Sequence, residues 1–441
     1  MKKVALHNLG CKVNSYETEA MQELLEENGY EIVPFKEGAD IYIINTCTVT
    51  NIADRKSRQM LHKAKKMNPN AIVVAAGCYV QVKKDASLDE SIDVVIGNNK
   101  KHELIEILNQ YRNRQTSSDL DKEQDFYDNI DCMININQTN EYENLRVSKT
   151  TEHTRAYLKV QDGCNQFCSY CIIPYARGRI RSRNLEDVVA EVKQLAANGY
   201  KEIVLTGIHL SSYGVDVSGK GTLLELIEAV HEVEGITRIR LGSLEPRIIT
   251  KTFAERTSKL WKMCPHFHLS LQSGCNETLR RMNRKYTTED FADACDILRK
   301  YYNIVSFTTD IIVGFPGETE EEYETTKAFV EQIGFYEVHV FKYSKREGTK
   351  AAVMPDQVVE SVKATRSNDL IACQNKQQKI IEDAMMGKEV SVLLEEKIVK
   401  NEVEYFVGHT KEYMKVSVDA GEYMANEEIV NIIGEGLQFI H

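Results

Sequence analysis

A short β-rich run, followed at once by a cysteine and then by a helical segment, occurs three times near the start of this chain. The copies are VALHNLGCKVN around Cys11, IYIINTCTVT around Cys47 and AIVVAAGCYVQ around Cys78, and a fourth run, DVVIG, comes after them. Alternating strands and helices are typical of a parallel sheet covered by helices. The pattern therefore predicts an N-terminal parallel α/β sheet domain over residues 1–112.

The three cysteines hold equivalent positions, each just past the C-terminal end of a predicted strand. Those ends line one crevice in an open parallel sheet, so loops there can bring distant residues into one site. Helix N-termini also favour the thiolate charge. Each cysteine taken singly also fits a packing role at a strand end. Because all three are in register, we interpret Cys11, Cys47 and Cys78 as ligands of one metal cluster.

A second cysteine triad is compact, since the run CNQFCSYC contains Cys164, Cys168 and Cys171. A zinc site usually pairs CxxC with a second Cys or His pair downstream, and no fourth ligand is in register here, although zinc or a redox thiol stays an alternative. Three thiolates on a cube of four irons leave one iron open, as a reactive site requires. The remaining cysteines are interpreted as packing residues: Cys132, Cys264, Cys275, Cys295 and Cys373.

The length and charge of the chain restrict its class. A chain of 441 residues is expected to form several domains. Its N-terminus has no apolar signal region, and no run is long and apolar enough to cross a membrane, so we expect a cytoplasmic protein with reduced thiols. A net charge of −11 excludes a protein that coats nucleic acid by bulk electrostatics. Any RNA contact must therefore be local.

Six further β-rich runs separated by helical stretches predict a partial (β/α)6 barrel over residues 151–377. In such barrels the chemistry collects at the C-terminal ends of the strands, and CNQFCSYC follows the first run. Residues 113–150 are polar and acidic and are predicted to be a linker. Short alternating strands over residues 380–441 predict a small β-barrel or sandwich, and this segment has more acidic than basic residues. The six runs are AYLKVQDG, EIVLTGIHL, TRIRLGSL, FHLSLQSG, FTTDIIVGF and YEVHVFKYS.

Several motifs, in this order and across almost all of the chain, resemble the radical S-adenosylmethionine methylthiotransferase family. They are NLGCKVNSYETE, INTCTVTNIADRKSRQ, GCYVQ, DGCNQFCSYCIIPYARGRIRSR, LSLQSGCNETLRRMNRKYT and DIIVGFPGET. The resemblance implies an N-terminal domain with an auxiliary 4Fe-4S cluster, a radical barrel and a C-terminal TRAM module. The motif GCKVN around Cys11 resembles that of the branch that modifies N6-threonylcarbamoyladenosine in tRNA, whereas the isopentenyladenosine branch more often has GCQMN.

This resemblance implies an enzyme that inserts a methylthio group at carbon 2 of N6-threonylcarbamoyladenosine, next to the anticodon, giving 2-methylthio-N6-threonylcarbamoyladenosine. That C–H is neither acidic nor a leaving group, so a radical is the accessible route. The compact triad would hold the 4Fe-4S cluster that cleaves S-adenosylmethionine, and the N-terminal triad would hold the cluster that supplies the methylthio group. The expected partners are the tRNA anticodon loop and an electron donor such as a flavodoxin or ferredoxin, and the expected state is a monomer.

Five further residues are candidates for cofactor contacts. By the resemblance, Tyr170 takes the place of the aromatic residue beside the adenine of the cofactor. Ser243 and Glu245 follow the third barrel run, Gln272 follows the fourth, and Gly314 follows the fifth, where the backbone would approach the adenine closely. The alternatives are polar groups satisfied by loop amides and a glycine that only forms a turn.

Four arginines alternate with other residues directly after the compact triad: Arg177, Arg179, Arg181 and Arg183. On an extended segment this spacing puts all four guanidinium groups on one face. Such a face would hold phosphates or a carboxylate through paired hydrogen bonds. The alternative is a solvated run of charge.

Two other functions stay open at this point. The same chemistry would serve a different acceptor, either isopentenyladenosine in tRNA or a ribosomal protein side chain. A non-catalytic RNA-binding protein with structural metal sites belongs to another class, and it predicts zinc, or clusters without turnover of the cofactor.

Overall fold

The computed structural model describes residues 2–83, 89–116, 132–149, 154–216, 221–400, 402–420, 429–433 and 438–440. These residues form an N-terminal parallel sheet, a central partial barrel and a C-terminal antiparallel sheet, which confirms the predicted fold class. Within the described residues, every helix is too short or too polar to cross a bilayer.

The N-terminal sheet has five parallel strands, and helices pack on both of its faces. The strands are β1 (Lys3–Asn8), β2 (Glu31–Ile32), β3 (Ile41–Thr46), β4 (Ile72–Gly77) and β5 (Val94–Ile96), and the helices are α1 (Lys12–Glu27), α2 (Asn51–Met67), α3 (Cys78–Val82) and α4 (Leu104–Thr116). The strand order is β2-β1-β3-β4-β5. This is a doubly wound order whose switch point lies between β1 and β3, and a crevice forms there at the carboxyl ends of the strands.

Six parallel strands form the partial barrel, and each lies within one of the six predicted runs or begins one residue before it. They are β6 (Ala156–Asp162), β8 (Glu202–Gly207), β9 (Arg238–Leu241), β10 (His266–His268), β11 (Ser306–Val313) and β12 (Glu337–Lys342), with β7 (Arg181–Ser182) antiparallel at the edge of β6. A bridge between Leu244 and Leu269 joins the sheet of β6, β8 and β9 to that of β10, β11 and β12.

Most helices of the central region cover the outside of the barrel, whereas the short helix α5 packs against α3. A long helix, α12, then leads from the barrel to the C-terminal sheet. These helices are α5 (Ile173–Arg177), α6 (Leu185–Ala197), α7 (Leu223–His231), α8 (Lys251–Ser258), α9 (Asn276–Arg281), α10 (Thr288–Tyr301), α11 (Glu320–Ile333) and α12 (Glu360–Met385).

The barrel strands place apolar side chains outward and polar side chains inward. On β11, Phe307 and Ile311 belong to the apolar core that the outer helices share. Successive residues of a strand point to opposite faces, so Thr308 and Asp310 face inward. The barrel interior is consequently polar, which suits a binding site better than a packed core.

The described part of the predicted linker is packed against the domains that it joins. Leu145 and Val147 are buried in the central core beside Tyr16 of α1, and the Tyr16 hydroxyl donates to the Leu145 carbonyl over 2.7 Å. Residues 117–131 and 150 lie outside the described residues. The exact domain boundaries stay a prediction.

The C-terminal domain is a five-stranded antiparallel sheet of order β16-β13-β14-β15-β17. Its loop before β15 docks at the N-terminal ends of the barrel strands: Arg240 donates to the Lys411 carbonyl over 2.9 Å, and the Tyr413 ring stacks on His266 at 4.5 Å. This end of the barrel is opposite the end that carries the compact triad. The strands are β13 (Glu389–Lys400), β14 (Val403–Thr410), β15 (Lys415–Asp419), β16 (Ile429–Ile433) and β17 (Gln438–Phe439).

Candidate functional site

The N-terminal triad lies at the switch point of the first sheet. Cys11 is the N-cap residue of α1 after β1, Cys47 directly follows β3, and Cys78 is the first residue of α3 after β4. The turn between β4 and Cys78 requires a glycine at position 77. The φ of Gly77 is +96°, and a Cβ there would lie 2.5 Å from the Asn45 side-chain oxygen. The three loops thus meet at one edge of the sheet, as predicted. The role of the cysteines as ligands stays a prediction.

The three thiols share one environment. The backbone of Gly10 lies against Cys47, since a Cβ built on Gly10 would be 3.1 Å from the Cys47 Sγ. The pKa of Cys47 is raised to about 12, and burial is the largest cause, to which Cys78 and Cys11 add. Thiols that raise one another's pKa are close enough to repel as thiolates. A cation among them would remove this repulsion.

Neither triad is arranged around a single ion. A site for a single metal ion needs three ligand atoms that lie close together. In the described part of the chain, only His268, Asp310 and His339 have such atoms of His, Cys or carboxylate side chains within 4.8 Å of one another. The cysteine triads are spread more widely than that. A cube of four irons spreads its thiolate ligands more than one zinc ion does, so both triads fit a cluster better than zinc.

The compact triad occupies the loop after β6, at the C-terminal end of the barrel. Cys164, Cys168 and Cys171 are all partly buried. Burial raises the pKa of Cys164 to about 11 and that of Cys171 to about 12, and Cys168 adds to both increases. The Cys171 amide donates to the Cys168 carbonyl over 2.9 Å. One tight loop therefore holds three thiols that would be stabilised together by a bound cation.

A distant segment fixes the shape of this loop. The Ser169 amide donates to the Met282 carbonyl over 3.0 Å, and the Ser169 hydroxyl donates to the Arg281 carbonyl over 2.8 Å. The Asn283 side chain donates to the carbonyl of Phe167 over 2.9 Å. Because Phe167 has a φ of +50°, its unusual backbone needs such support. The segment that follows α9 is thus a clamp for the compact triad.

Arg284 contacts a sulfur of the compact triad, and sequence reasoning gave it no role. One guanidinium nitrogen donates to the Cys168 Sγ over 3.2 Å, and Nε donates to the Tyr286 hydroxyl over 2.9 Å. A second nitrogen lies 3.3 Å from the Ser270 carbonyl. The only sequence signal was the basic character of LRRMNRKY, which does not single out one arginine.

Arg177, at the end of the helix that follows the compact triad, contacts a sulfur of the N-terminal triad. Its Nε donates to the Cys78 Sγ over 3.1 Å, and a terminal nitrogen donates to the Asn14 side-chain oxygen over 2.6 Å. Asn98 donates to the Ala176 carbonyl over 2.8 Å and lies 3.6 Å from the same sulfur. Helix α5, which follows the compact triad, therefore packs against α3, which begins at Cys78. The two triads share one wall.

Behind this wall lies a fully buried cluster of charges. Arg177 is paired with Glu17, Lys159 lies 2.7 Å from both Glu17 and Asp162, and Lys101 lies 3.1 Å from Glu17. Burial alone would raise the pKa of Glu17, but Arg177, Lys101 and Lys159 hold it well below its usual range. Such a network is stable only with all partners present. It fixes the N-terminal sheet against the barrel.

The prediction of one basic face on residues 177–183 is wrong. Arg177 lies in helix α5, so the extended alternation does not begin there. Arg181 is buried and donates to the carbonyls of Arg177 and Arg179, and Arg183 is buried and paired with Glu191. Only Arg179 is exposed. Three of the four guanidinium groups thus stabilise the protein interior.

Three of the predicted cofactor contacts, Tyr170, Glu245 and Ser243, differ in burial and in their distance from the compact triad loop. Tyr170 is partly buried, with its ring edge-on to Phe315 at 6.4 Å. Glu245 is buried, and Gln166 of the triad loop donates to its carboxylate over 3.5 Å. Ser243 is exposed. The structure brings Tyr170 and Glu245 to the loop, while Ser243 faces solvent.

The other two predicted cofactor contacts, Gln272 and Gly314, make hydrogen bonds within the barrel. Gln272 is buried with a φ of +70°, and its amide donates to the Asp310 carbonyl over 2.8 Å. The Gly314 amide donates to Glu318 over 2.6 Å. A Cβ on Gly314 would lie 2.3 Å from the Lys363 Cγ, so α12 fills the space beside this glycine. These protein contacts account for Gly314 without a ligand.

A cavity of about 930 Å³ lies beside the end of the compact triad loop, because Ile172 and Tyr175, which follow Cys171, line it. Its walls come from α2, from the end of α3 and from the segment that follows β12, and Ile172, the neighbour of Cys171, contributes to it. Lys83, Tyr175 and Lys345 also line it.

Two family models match the chain. The radical SAM superfamily model covers residues 158–330, and the model described as uncharacterized protein family UPF0004 covers residues 3–97. The solved structure of the radical S-adenosylmethionine methyltransferase TsrM from Kitasatospora setae, with cobalamin and a 4Fe-4S cluster bound, is 15% identical with a TM-score of 0.56, covering 80% of this chain and 77% of that one. At this identity the likeness shows the fold alone.

Curated relatives match over nearly the full length. The threonylcarbamoyladenosine tRNA methylthiotransferase MtaB of Bacillus subtilis (strain 168) is 42% identical, over 100% of this chain and 95% of the relative. The enzyme of the same name from Aquifex aeolicus (strain VF5) is 41% identical, over 89% and 92%. A tRNA-2-methylthio-N(6)-dimethylallyladenosine synthase of Thermoanaerobacter sp. (strain X514) is 38% identical, over 88% and 81%.

The barrel, its cysteine loop and the matched superfamily model define a radical S-adenosylmethionine enzyme, and this class uses S-adenosylmethionine and a 4Fe-4S cluster. The relatives that match nearly the full length of the chain identify one family within this class. The chain belongs to the radical S-adenosylmethionine methylthiotransferase family, which confirms the resemblance drawn from its motifs, and it is a transferase.

Proposed function

We propose that this enzyme inserts a methylthio group at carbon 2 of N6-threonylcarbamoyladenosine next to the anticodon of tRNA. The observation that carries the proposal is the shared wall of the two triads, through the contact of Arg177 with the Cys78 sulfur. It occurs in a chain whose relatives at 36–42% identity include three threonylcarbamoyladenosine tRNA methylthiotransferases.

The two triads are the proposed holders of two 4Fe-4S clusters. Cys164, Cys168 and Cys171 would bind the cluster of the radical chemistry, and the N-terminal triad would bind an auxiliary one. The fit rests on three thiols in each place, on their mutual effect on pKa and on a spread too wide for one ion. When bound, the clusters and S-adenosylmethionine supply the electron, the radical and the sulfur, which protein side chains do not offer.

The protein itself supplies position, charge and protection from water. Arg284 places a positive charge at a sulfur of the compact triad, and Arg177 does so at a sulfur of the N-terminal triad. A guanidinium stays protonated at every physiological pH, so both charges are permanent. The buried pairs of Glu17 with Arg177 and Lys159 keep the two triads at a fixed separation and exclude water from their common wall.

The proposed RNA contact is an exposed group beside the cavity entrance. The Arg179 guanidinium lies over the Phe167 ring at 4.7 Å, and Phe167 meets the Tyr175 ring edge-on at 5.8 Å. Tyr175 is 44% exposed. Proteins read single-stranded RNA by stacking splayed bases on aromatic rings and arginines. With Lys83 and Lys345 nearby, this group suits an anticodon loop in spite of the negative net charge.

The decisive experiment is nucleoside analysis. The reconstituted enzyme is incubated anaerobically with reductant, S-adenosylmethionine and tRNA from a strain that lacks the modification, and the nucleosides are then separated by mass spectrometry. We expect 2-methylthio-N6-threonylcarbamoyladenosine. Methylthiolation of isopentenyladenosine alone would assign the enzyme to the other tRNA branch, and an unmodified tRNA pool would reject both.

We also propose a monomeric cytoplasmic enzyme that takes electrons from a small donor such as a flavodoxin or ferredoxin. The arrangement supports a monomer, because all six cysteines of the two triads and the residues that line the cavity come from one chain. Light scattering of the reconstituted enzyme tests the mass, and the rate of S-adenosylmethionine cleavage with each purified donor tests the electron source.

A further inference from the structure

The inner face of the barrel carries a polar group that the proposed cluster sites do not use. His268, Asp310 and His339 come from the neighbouring strands β10, β11 and β12, and Asp310 pairs with His339 in register. Their ligand atoms lie within 4.8 Å of one another, and His268 lies 3.3 Å from the Asp310 carboxylate. His268 and Asp310 are partly buried and His339 is exposed, so the group borders open space.

Lys12 brings a positive charge toward this inner face. It is the first residue of α1, directly after Cys11, and it is partly buried. Helix α1 packs on the barrel, since Glu17 of α1 lies 2.7 Å from the Lys159 ammonium of β6. Burial lowers the pKa of Lys12, and the titratable groups that act on it are Tyr413, Arg155, Arg240 and Glu202. Lys12 in turn contributes to lowering the pKa of Asp310.

Among the described residues of this region, the charge of Lys12 lacks a partner, unlike those of the neighbouring arginines. Arg238 and Arg240 are both paired with Glu202, and Arg155 is paired with Glu395. Within the described part of the chain, the Lys12 ammonium has no hydrogen bond and no ion pair. A partly desolvated cation with no partner is costly unless a ligand supplies the opposite charge. The interior is therefore prepared for an anion.

We infer that Lys12, His268, Asp310 and His339 form a subsite that binds the threonylcarbamoyl side chain of the substrate, with Lys12 paired to its carboxylate. This inference rests on the proposed function. The imidazoles and the Asp310 carboxylate offer donors and acceptors to the urea and hydroxyl groups of that side chain. Phe341, two residues beyond His339 on the same face of β12 and 46% exposed, offers an apolar surface.

The position of the subsite agrees with the reaction. Nitrogen 6 and carbon 2 of adenine lie on the same edge of the base, on either side of nitrogen 1. A subsite that holds the nitrogen 6 substituent beside Lys12 leaves carbon 2 on the side of Cys11, the adjacent residue in the chain. An isopentenyl group has no charge and would leave Lys12 unpaired, and a site built for a polar group rejects analogues that lack it.

The test compares two ligands on one protein. Two anticodon stem-loops are prepared, identical except that one carries N6-threonylcarbamoyladenosine and the other its uncharged threoninamide analogue, and their binding to the reconstituted full-length enzyme is measured by fluorescence anisotropy. We expect the wild type to bind the acid at least about tenfold more tightly, a difference of about 1.4 kcal/mol. Lys12→Gln should bring the ratio close to one, and Lys12→Arg should preserve most of it.

The ratio compares both ligands on the same sample, so it does not depend on the fraction of protein that carries its clusters. Lys193→Gln, an exposed lysine on α6, is the matched control and should keep the wild-type ratio. Equal binding of acid and amide by the wild type, or an unchanged ratio in Lys12→Gln, would overturn the inference. If the wild type still forms the methylthio product, the proposed function survives that failure.

Elemental analysis adds a test that does not involve RNA. A divalent ion other than iron that is bound stoichiometrically by the wild type and lost in His339→Gln would make the His268, Asp310 and His339 group a metal site, and it would overturn the inference. We expect the two proteins to have the same metal content.

Discussion

The Nε of Arg177 donates a hydrogen bond of 3.1 Å to the Sγ of Cys78, so the helix that follows one cysteine triad touches a sulfur of the other. The same guanidinium is paired with Glu17 in a cluster without solvent access. One residue therefore belongs both to the site and to the interface that fixes it. Separate roles for the two triads, joined by a rigid wall, are the basis of the predictions that follow.

The first prediction concerns metal content. Two four-iron clusters give about eight irons per chain after anaerobic reconstitution. Replacing Cys11, Cys47 and Cys78 with Ala should lower this to about four, because the compact triad lies in a separate loop. Cys168→Ala should abolish 5′-deoxyadenosine formation, whereas Cys47→Ala should leave it detectable and stop sulfur insertion.

Iron, sulfide and 5′-deoxyadenosine are measured on the same preparations. Cys295→Ala, which changes a buried cysteine of the barrel core, is the control and should keep about eight irons. A wild type with about four irons that the triple replacement does not change would remove the auxiliary cluster. Equal loss of both activities in Cys47→Ala and Cys168→Ala would contradict the separate roles.

The second prediction concerns the buried charge cluster. Arg177→Gln leaves Glu17 and Asp162 buried with one cation fewer, and breaking a buried pair from one side costs about 3 kcal/mol or more. We expect the free energy of unfolding, measured from the first transition in urea, to fall by this amount. Arg179→Gln, at an exposed position in the same segment, should change it by less than about 0.5 kcal/mol. Similar values for the two variants would show that the network adds no stability.

The arginine run shows where sequence reasoning fails. Period-two spacing predicts a shared face only if the whole segment is extended, and α5 ends within it, at Arg177. The partners that bury Arg177 and Arg183 are Glu17 and Glu191, which are distant in the chain. Nothing in a local window indicates that these charges will meet. Long-range pairing therefore buries Arg177 and Arg183, although local spacing had predicted that they share one binding face with Arg179 and Arg181.

The parallel sheet and the barrel could be predicted because their sequence signals are local. Their strands are apolar runs followed by helices, and the position of Cys11, Cys47 and Cys78 after successive strands follows from topology alone. Arg284 and α12 were missed. Arg284 reaches Cys168 only through the clamp that follows α9, and the apolar residues of α12 do not form a stripe that sequence periodicity would detect.

The third prediction is a dependence on pH. Burial alone would raise the pKa of Glu202, but Arg240, Arg155 and Arg238 lower it to about 2. A carboxyl group whose pKa is lower in the folded protein contributes stability above its unfolded pKa, near 4.5, and this stability is lost as the pH falls toward 2. The contribution at neutral pH is about 3 kcal/mol.

Urea unfolding of the wild type and of Glu202→Gln at a series of pH values checks this sign. The wild type should lose most of its advantage over the variant as the pH falls from about 5 to about 2. Glu324→Gln, at an exposed position on α11, should follow the wild-type curve throughout. A constant difference between the wild type and Glu202→Gln across this range would contradict the assignment.

The fourth prediction concerns the C-terminal sheet. The Tyr413 ring stacks on His266 and His409 at 4.5 and 4.9 Å, and the Arg240 guanidinium lies over it at 4.9 Å. Removing a packed aromatic ring costs about 3–5 kcal/mol. In Tyr413→Ala we therefore expect faster cleavage by protease in the connection after α12, with unchanged iron content. Tyr413→Phe keeps the ring and should resist cleavage like the wild type, and cleavage of both at one rate would exclude this docking role.

The loops after β1, β3 and β4 each contribute one cysteine to the N-terminal triad, whereas one continuous octapeptide contributes all of the compact triad. A binding site assembled from separate loops exists only once its sheet has formed. With two clusters as proposed, the N-terminal centre would therefore form only after its sheet has folded, and it would be lost when that sheet loosens.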